Sequence, residues 1–276
     1  MIEPEETPNI KILMYHRVIR KGDREGDPLA VSEEAFREQM NWIQNFGFTT
    51  ITFIDYQLYL EGKLTLPRKP IIITFDDGYQ DTYTRALPIL HEKEMRAVIF
   101  VLGNRGLKRA WWESGDPDDL CLLMSDSQIL EAHALGFEIG AHTMNHLALG
   151  ELDDEEIRHE VHGSKQAIEE LLQEEVLSIS YPYGSLNQSV LDVTAEGGFR
   201  FGCGVFTGPP RFGTNMFDLR RLAIKREMGS AQFLMRLLTP WQYLEWAWSR
   251  RNNLRQISDL NRFRRYFKTT TAPKEG

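Results

Sequence analysis

Two carboxylates side by side and two imidazoles four residues apart are the residue types from which a chain can build a hydrolytic metal centre. Asp76 and Asp77 close the apolar run in IIITFDDGYQD (71 to 81), and His142 and His146 lie in AHTMNH (141 to 146). Two histidines and one carboxylate occupy three positions on a divalent ion and leave others open, which suits a catalytic rather than a structural metal. Side chains alternate in direction along an extended chain, so one aspartate can ligate while its neighbour stays free to take a proton from activated water. The cation relieves the repulsion between the two, and a nearby arginine would hold the free one ionised. A plainer reading stands beside this one. Asp-Asp-Gly is good turn chemistry because Gly78 tolerates a positive φ, and a pair of histidines can simply be surface residues. That reading leaves the coincidence of acids and imidazoles unexplained.

These residues need a scaffold that brings distant segments to one place, and the hydrophobic pattern predicts one. IKILMYH (10 to 16), IIITF (71 to 75), AVIFVL (97 to 102), FEIGAH (137 to 142) and VLSISYPYG (176 to 184) read as strands. Between them lie helical stretches: 32 to 47 with Ser32 as N-cap, YTRALPILHEKEM with Pro88 bending it or near its start, 125 to 136 with a Ser-x-x-Gln capping box, and a long amphipathic helix from Asp153 to about Glu175. A helix near 188 to 196, a strand around FRFGCGVF and LRRLAI (219 to 224) follow. Strands alternating with helices predict a parallel sheet covered on both faces, or a closed barrel. Four strand ends carry reactive side chains: His16, the Asp76–Asp77 pair, His142, and the YPYG segment with Tyr183. Carboxyl ends of parallel strands are where α/β sites assemble, so the four predict a common mouth. If the chain turns helically after the strand, His142 and His146 share one face. His91, His133, His159 and His162 fall on predicted helices and read as surface or packing residues.

Composition limits the classes. With 276 residues, 42% hydrophobic and 26% charged, the chain can bury a large core. Its 40 acidic against 32 basic residues give a net charge of −8, which argues against a nucleic-acid partner. Cys121 and Cys203 lack C-x-x-C spacing and read as reduced structural thiols. The acidic start, MIEPEETPNIKILMYH, resembles neither a secretory signal nor a membrane span. The chain therefore reads as cytoplasmic or at the inner membrane face, and as extracellular if a leader has been removed. The last stretch, 241 to 276, mixes aromatics with arginines on a predicted helical tail that could contact an anionic membrane, which leaves 1 to 240 as the catalytic domain.

TFDDGY, HTMNH and YPYG, in this order and separated by helices, resemble the motifs of the polysaccharide deacetylases, carbohydrate esterase family 4. The resemblance runs from about ILMYHRV to RRLAI. It implies a distorted (β/α) barrel of about seven strands and metal-dependent removal of N-acetyl groups from amino sugars. Carried over by motif, Asp77, His142 and His146 bind the metal, Asp76 is the general base, and YPYG forms a groove wall with the Tyr183 backbone N–H aimed at the oxyanion. Two departures from the family pattern matter. Many members place an arginine just before the third motif to hold the catalytic aspartate, where this chain has Ile179 and Ser180; Arg221, in preference to Arg220, is the substitute. Many also use a late histidine as general acid, and none follows His162 here. MYH near the N-terminus is similar to the arrangement in biofilm poly-N-acetylglucosamine deacetylases, which makes His16 the acid.

The expected cofactor is a divalent ion, zinc first, with cobalt, nickel or iron fitting the same ligands. The expected substrate is an N-acetylated amino-sugar polymer or a lipid- or nucleotide-linked sugar, with Tyr79, Tyr183, Trp111 and Trp112 offering ring faces. Two other classes compete: a metal-free sugar-binding relic, favoured if no arginine replaces the missing one, and a two-histidine, one-carboxylate iron oxygenase, which would leave the second aspartate idle.

Overall fold

The computed structural model describes residues 9–23, 27–113 and 121–251. Strands β1 (Lys11–Tyr15), β4 (Thr49–Ile51), β5 (Pro70–Phe75), β6 (Val98–Val101), β7 (Glu138–Ala141), β8 (Ser178–Ser180), β9 (Phe201–Cys203) and β10 (Leu222–Ala223) form one parallel sheet. Seven of them run in the order β10-β1-β5-β6-β7-β8-β9, and β4 pairs with the first half of β5. Short β2 (Arg17–Ile19) and β3 (Ala30–Ser32) pair separately. At the far edge, Leu219 N–H bonds to Gly202 O at 2.8 Å and Gly202 N–H to Met216 O at 2.7 Å. The segment entering β10 thus meets β9, and the sheet curls round on itself as a distorted (β/α) barrel.

Helices α1 (Glu33–Asn45), α2 (Phe53–Leu60), α3 (Leu87–Glu92), α4 (Asp126–Ala134), α5 (Asp154–Leu172), α6 (Gln188–Glu196), α7 (Ser230–Leu238) and α8 (Trp241–Arg251) connect or flank the strands. The local signals behind them are explicit. Ser32 caps α1 by accepting from Ala35 N–H, and Ser125 and Gln128 close a reciprocal box on α4. Asp153 caps α5, which ends at Leu172 before left-handed Gln173, three residues short of the expected end near Glu175. A π-helical turn, Thr82–Ala86, runs directly into α3, and Pro88 sits in the first turn of that short helix. Among the described residues no helix is long and apolar enough to cross a membrane. Most of the expected C-terminal tail, 252 to 276, lies outside the described residues.

The period-two alternation of the strands sorts two cores. Leu13, Ile71, Ile73, Phe75, Ile99, Ile139 and Ile179 point outward beneath the helices. Ile12, Ile72, Val98, Phe100, Phe201 and Cys203 point into the barrel, where α2 adds Phe53, stacked on Phe201 with ring centroids 5.1 Å apart. Cys121 and Cys203 are both buried and not joined to each other. The inward set continues along β5 to Thr74 and Asp76, and along β7 through Glu138 and Gly140 to His142. Gly140 is required: a Cβ there would lie 2.5 Å from the Phe100 ring and 2.7 Å from Ser178 Oγ.

Glu138 is a buried carboxylate within this interior. It accepts from Ile54 N–H at 2.9 Å and Ser178 Oγ at 2.7 Å, yet burial outweighs these bonds and pushes its carboxyl up. A raised folded-state carboxyl contributes stability that is complete below its unfolded value and is lost as pH rises through the folded value. Glu138→Gln keeps an acceptor for Ile54 and a partner for Ser178 without the charge. Its melting temperature is expected to exceed that of the wild type at pH 8, with the gap closing toward pH 4; a pH-independent difference in thermal melts would contradict this.

Candidate metal centre

The carboxyl ends of β1, β5, β7 and β8 deliver their polar residues to one mouth of the barrel. Asp77 Oδ1 lies 3.0 Å from His142 Nε2 and 3.1 Å from His146 Nε2. One ligand atom from each of the three lies within 4.8 Å of the others, close enough to share an ion. All three are buried, at 2 to 4% exposure. His142 Nδ1 faces Ser180 O at 2.8 Å, a contact that places the proton on Nδ1 and leaves the Nε2 lone pair for a cation. His146 Nδ1 pairs with the Tyr183 hydroxyl at 3.1 Å, which holds the second ring with its Nε2 edge toward Asp77. The donor set, two neutral imidazole nitrogens and a carboxylate oxygen, fits a divalent transition ion with positions left open.

Backbone strain marks the same place. Of the six non-glycine residues with positive φ among the described residues, four belong to the site: Asp77 (71°), Thr143 (63°), His146 (62°) and Tyr183 (60°). The turn at Asp77 explains how adjacent aspartates separate. Asp76 continues the inward row of β5, while the chain reverses at Asp77 and sends its carboxylate to the histidines. His142 and His146 do not share a helical face, as a helical turn after β7 would have required. They converge because the chain passes through left-handed conformations at 143 and 146, where Thr143 Oγ1 accepts His146 N–H at 3.1 Å.

Asp76 sits against Arg221, which is 1% exposed and forks onto both carboxylate oxygens at 2.7 and 2.8 Å. The same guanidinium reaches Ser180 Oγ at 2.8 Å, Thr74 Oγ1 at 3.2 Å and Gly204 O at 2.9 Å. Ser180, at the position that lacks the motif arginine, thus supports an arginine delivered just ahead of β10. Its neighbour Arg220 points the other way, to Gly208 O at 2.7 Å and to Phe206 O. Burial alone would push the Asp76 carboxyl up; the Arg221 charge beside it, followed by His142, outweighs burial and holds it below the usual carboxylate range. Asp77 is held lower still, burial being overcome by the two histidines. At His142 burial would lower the imidazole, but Asp77 and Asp76 outweigh it and raise it; at His146 burial prevails over Asp77 and lowers it. His16 Nε2 stands 4.0 Å from Asp76 Oδ2, and its Nδ1 is buried without a hydrogen-bond partner among the described residues.

The aromatic residues need correction. Tyr79 and Trp112 are 1% and 3% exposed, so neither offers a ring face to a sugar. Trp112 instead stacks on His146, centroids 3.8 Å apart and 16° from parallel, and donates Nε1–H to the Tyr79 hydroxyl at 3.2 Å. The Tyr79 hydroxyl donates to Glu113, and Arg17 lies over the Tyr79 ring at 4.3 Å. Trp111 is half-buried, its Nε1–H bound to Asn145 O at 3.0 Å. Tyr183 keeps a partly open edge beside His146, and burial pushes its phenol up, so it remains a donor. Asn145, Glu113 and the Tyr183 hydroxyl were not singled out by sequence reasoning. Asn145 lies inside HTMNH, whereas nothing local to Glu113 signals its place.

A family model for the polysaccharide deacetylases matches residues 63–202, a span that includes Asp76, Asp77, His142, His146 and Tyr183 but not His16 or Arg221. The Bacillus subtilis (strain 168) protein YxkH, named for a polysaccharide deacetylase, is 28% identical over 233 residues, covering 84% of this chain and 77% of that protein. A poly-beta-1,6-N-acetyl-D-glucosamine N-deacetylase of Staphylococcus aureus (strain MRSA252) is 24% identical over 211 residues, 69% of this chain and 70% of that protein. Among solved structures, the Streptococcus pyogenes deacetylase PplD in complex with acetate shares the fold with a TM-score of 0.71 at 24% identity, covering 83% of this chain and 98% of that one.

Proposed function

We propose, from the premise that the chain belongs to the polysaccharide deacetylase family and is a carbohydrate N-deacetylase, that it hydrolyses the acetamide of N-acetylglucosamine-type residues in a poly- or oligosaccharide. One observation carries the reading: Asp77, His142 and His146 offer a shared ligand set directly beside a carboxylate that Arg221 holds ionised.

Asp77, His142 and His146 would hold the ion, zinc first by the donor set. A divalent cation there supplies a more acidic water and a polarised acetamide carbonyl. Asp76, acceptor-only and fixed by Arg221, takes the proton as water oxygen bonds to the acetyl carbon. The Tyr183 backbone N–H serves as a donor to the oxyanion, a contribution of the order of 3 kcal/mol in a dehydrated site. His16, 4.0 Å from Asp76, gives its proton to the sugar nitrogen as the C–N bond breaks. Acetate and a free amino sugar leave. The deep burial of Asp76 and Asp77 suits an acetyl group entering a narrow mouth while the sugar rings stay outside, along the Tyr183 side.

The oxygenase alternative leaves Asp76 and its arginine without work. The relic alternative requires that no arginine replace the missing one, and the fork of Arg221 onto Asp76 speaks against it. Acetate release from β-1,6- and β-1,4-linked N-acetylglucosamine oligomers, measured on protein stripped by a chelator and reloaded with Zn2+, tests the function. Activity is expected to vanish on stripping and return on reloading, and a loaded protein inert on both oligomers would refute the proposal. His16→Ala is expected to lower kcat by about 10²-fold or more, with KM and bound zinc little changed, in steady-state assays with metal analysis.

A further inference from the structure

The loop that carries both imidazoles is gripped by a buried carboxylate that takes no part in the chemistry above. Glu160 lies on α5 and is 2% exposed. Its backbone carbonyl accepts Met144 N–H at 3.0 Å. Its side chain accepts Asn145 N–H at Oε2 and Asn145 Nδ2–H at Oε1, both at 2.8 Å. Asn145 has its remaining groups tied as well: Oδ1 accepts from Asn104 Nδ2 at 2.8 Å, and its carbonyl accepts Trp111 Nε1–H at 3.0 Å. One residue, immediately before His146, is therefore fixed at four polar groups from three directions.

The grip has a physical purpose. Thr143 and His146 hold left-handed backbone conformations, which cost non-glycine residues about 1–3 kcal/mol each unless their surroundings impose them. Released, the turn would relax and carry the His146 ring away from Asp77. A carboxylate is specifically required on α5, because both of its oxygens face N–H donors of Asn145, and an amide would set a donor against a donor.

We propose that Glu160 is a positioning residue for the metal centre: through Asn145 it imposes the left-handed turn that aims His146 at an ion shared with Asp77 and His142. This rests on the reading of those three residues as metal ligands. The test is the Zn2+ affinity of the full chain, measured by titrating stripped protein against a competing chromophoric chelator. E160Q is expected to weaken Zn2+ binding by about 10–100-fold, the usual range for residues that orient metal ligands. The reciprocal swap E160Q/N145D reverses the side-chain hydrogen bond, with the new amide donating to the new carboxylate and its oxygen still accepting the backbone N–H, and is expected to recover most of the loss. Should E160Q fail to fold, N145A, which removes the side-chain half of the grip, is expected to lose about tenfold. E160Q binding Zn2+ as tightly as the wild type, N145A doing so, or the swap binding no better than E160Q would overturn the proposal. A wild-type chain that takes up no Zn2+ fails differently: it removes the metal-centre reading, and the inference with it, before any variant is compared.

Discussion

Asp76→Asn is expected to lower kcat for acetate release by about 10²–10⁴-fold, the range a general base contributes, while Zn2+ content stays that of the wild type. The substitution is nearly isosteric, and Asp76 does not belong to the ligand trio: its oxygens face Arg221 and Ser180. The loss should therefore fall on the chemical step and spare the ion. Steady-state kinetics with metal analysis on the same preparation would separate the two. Near-normal turnover with metal bound would remove Asp76 as base, and loss of metal together with turnover would move it into the coordination set.

Arg221→Met is expected to produce the largest loss of stability of any substitution at the mouth, of the order of 3–5 kcal/mol, because it strands a buried carboxylate. Both partners are almost fully buried, so solvent cannot screen the widowed charge. The guanidinium also satisfies Gly204 O and Ser180 Oγ, which lose a donor at once. The cost should be larger in stripped than in Zn2+-loaded protein, since a nearby cation stabilises the Asp76 carboxylate. Adding Asp76→Asn to Arg221→Met should return part of the lost stability by removing the unpaired charge. Urea titrations of the four proteins form a double-mutant cycle, and simple additivity would show that the pair is not coupled. Arg221→Lys should not rescue fully, because an ammonium cannot fork onto both oxygens.

How much of this was legible in the sequence follows from how far each interaction reaches along the chain. Strand ends were legible because apolar runs and their period of two are local, and the same alternation places Asp76 and His142 on the inward rows. The preference for Arg221 over Arg220 also agrees with alternation, since neighbours in an extended segment point to opposite sides. The resemblance of TFDDGY and HTMNH to the family's motifs is what grouped Asp77, His142 and His146 as expected ligands.

Tertiary structure decided what depends on segments far apart in the chain. Arg221 meets Asp76 across 145 residues only because β10, β1 and β5 are neighbours in the sheet. The left-handed turn that replaced the expected helical one at 142 to 146 is strained on its own terms, so no local propensity could forecast it, and its supports come from Glu160, Asn104 and Trp111. Tyr79 and Trp112 looked like sugar platforms because aromatics near a mouth have that use, yet burial is settled by what folds over them, here each other, Glu113 and His146. The amino-acid sequence by itself determined which chemical groups are available and which strand ends carry them. Only the packed barrel decided their directions and partners, because orientation in a buried site is set by contacts that close long loops and not by the residues alongside.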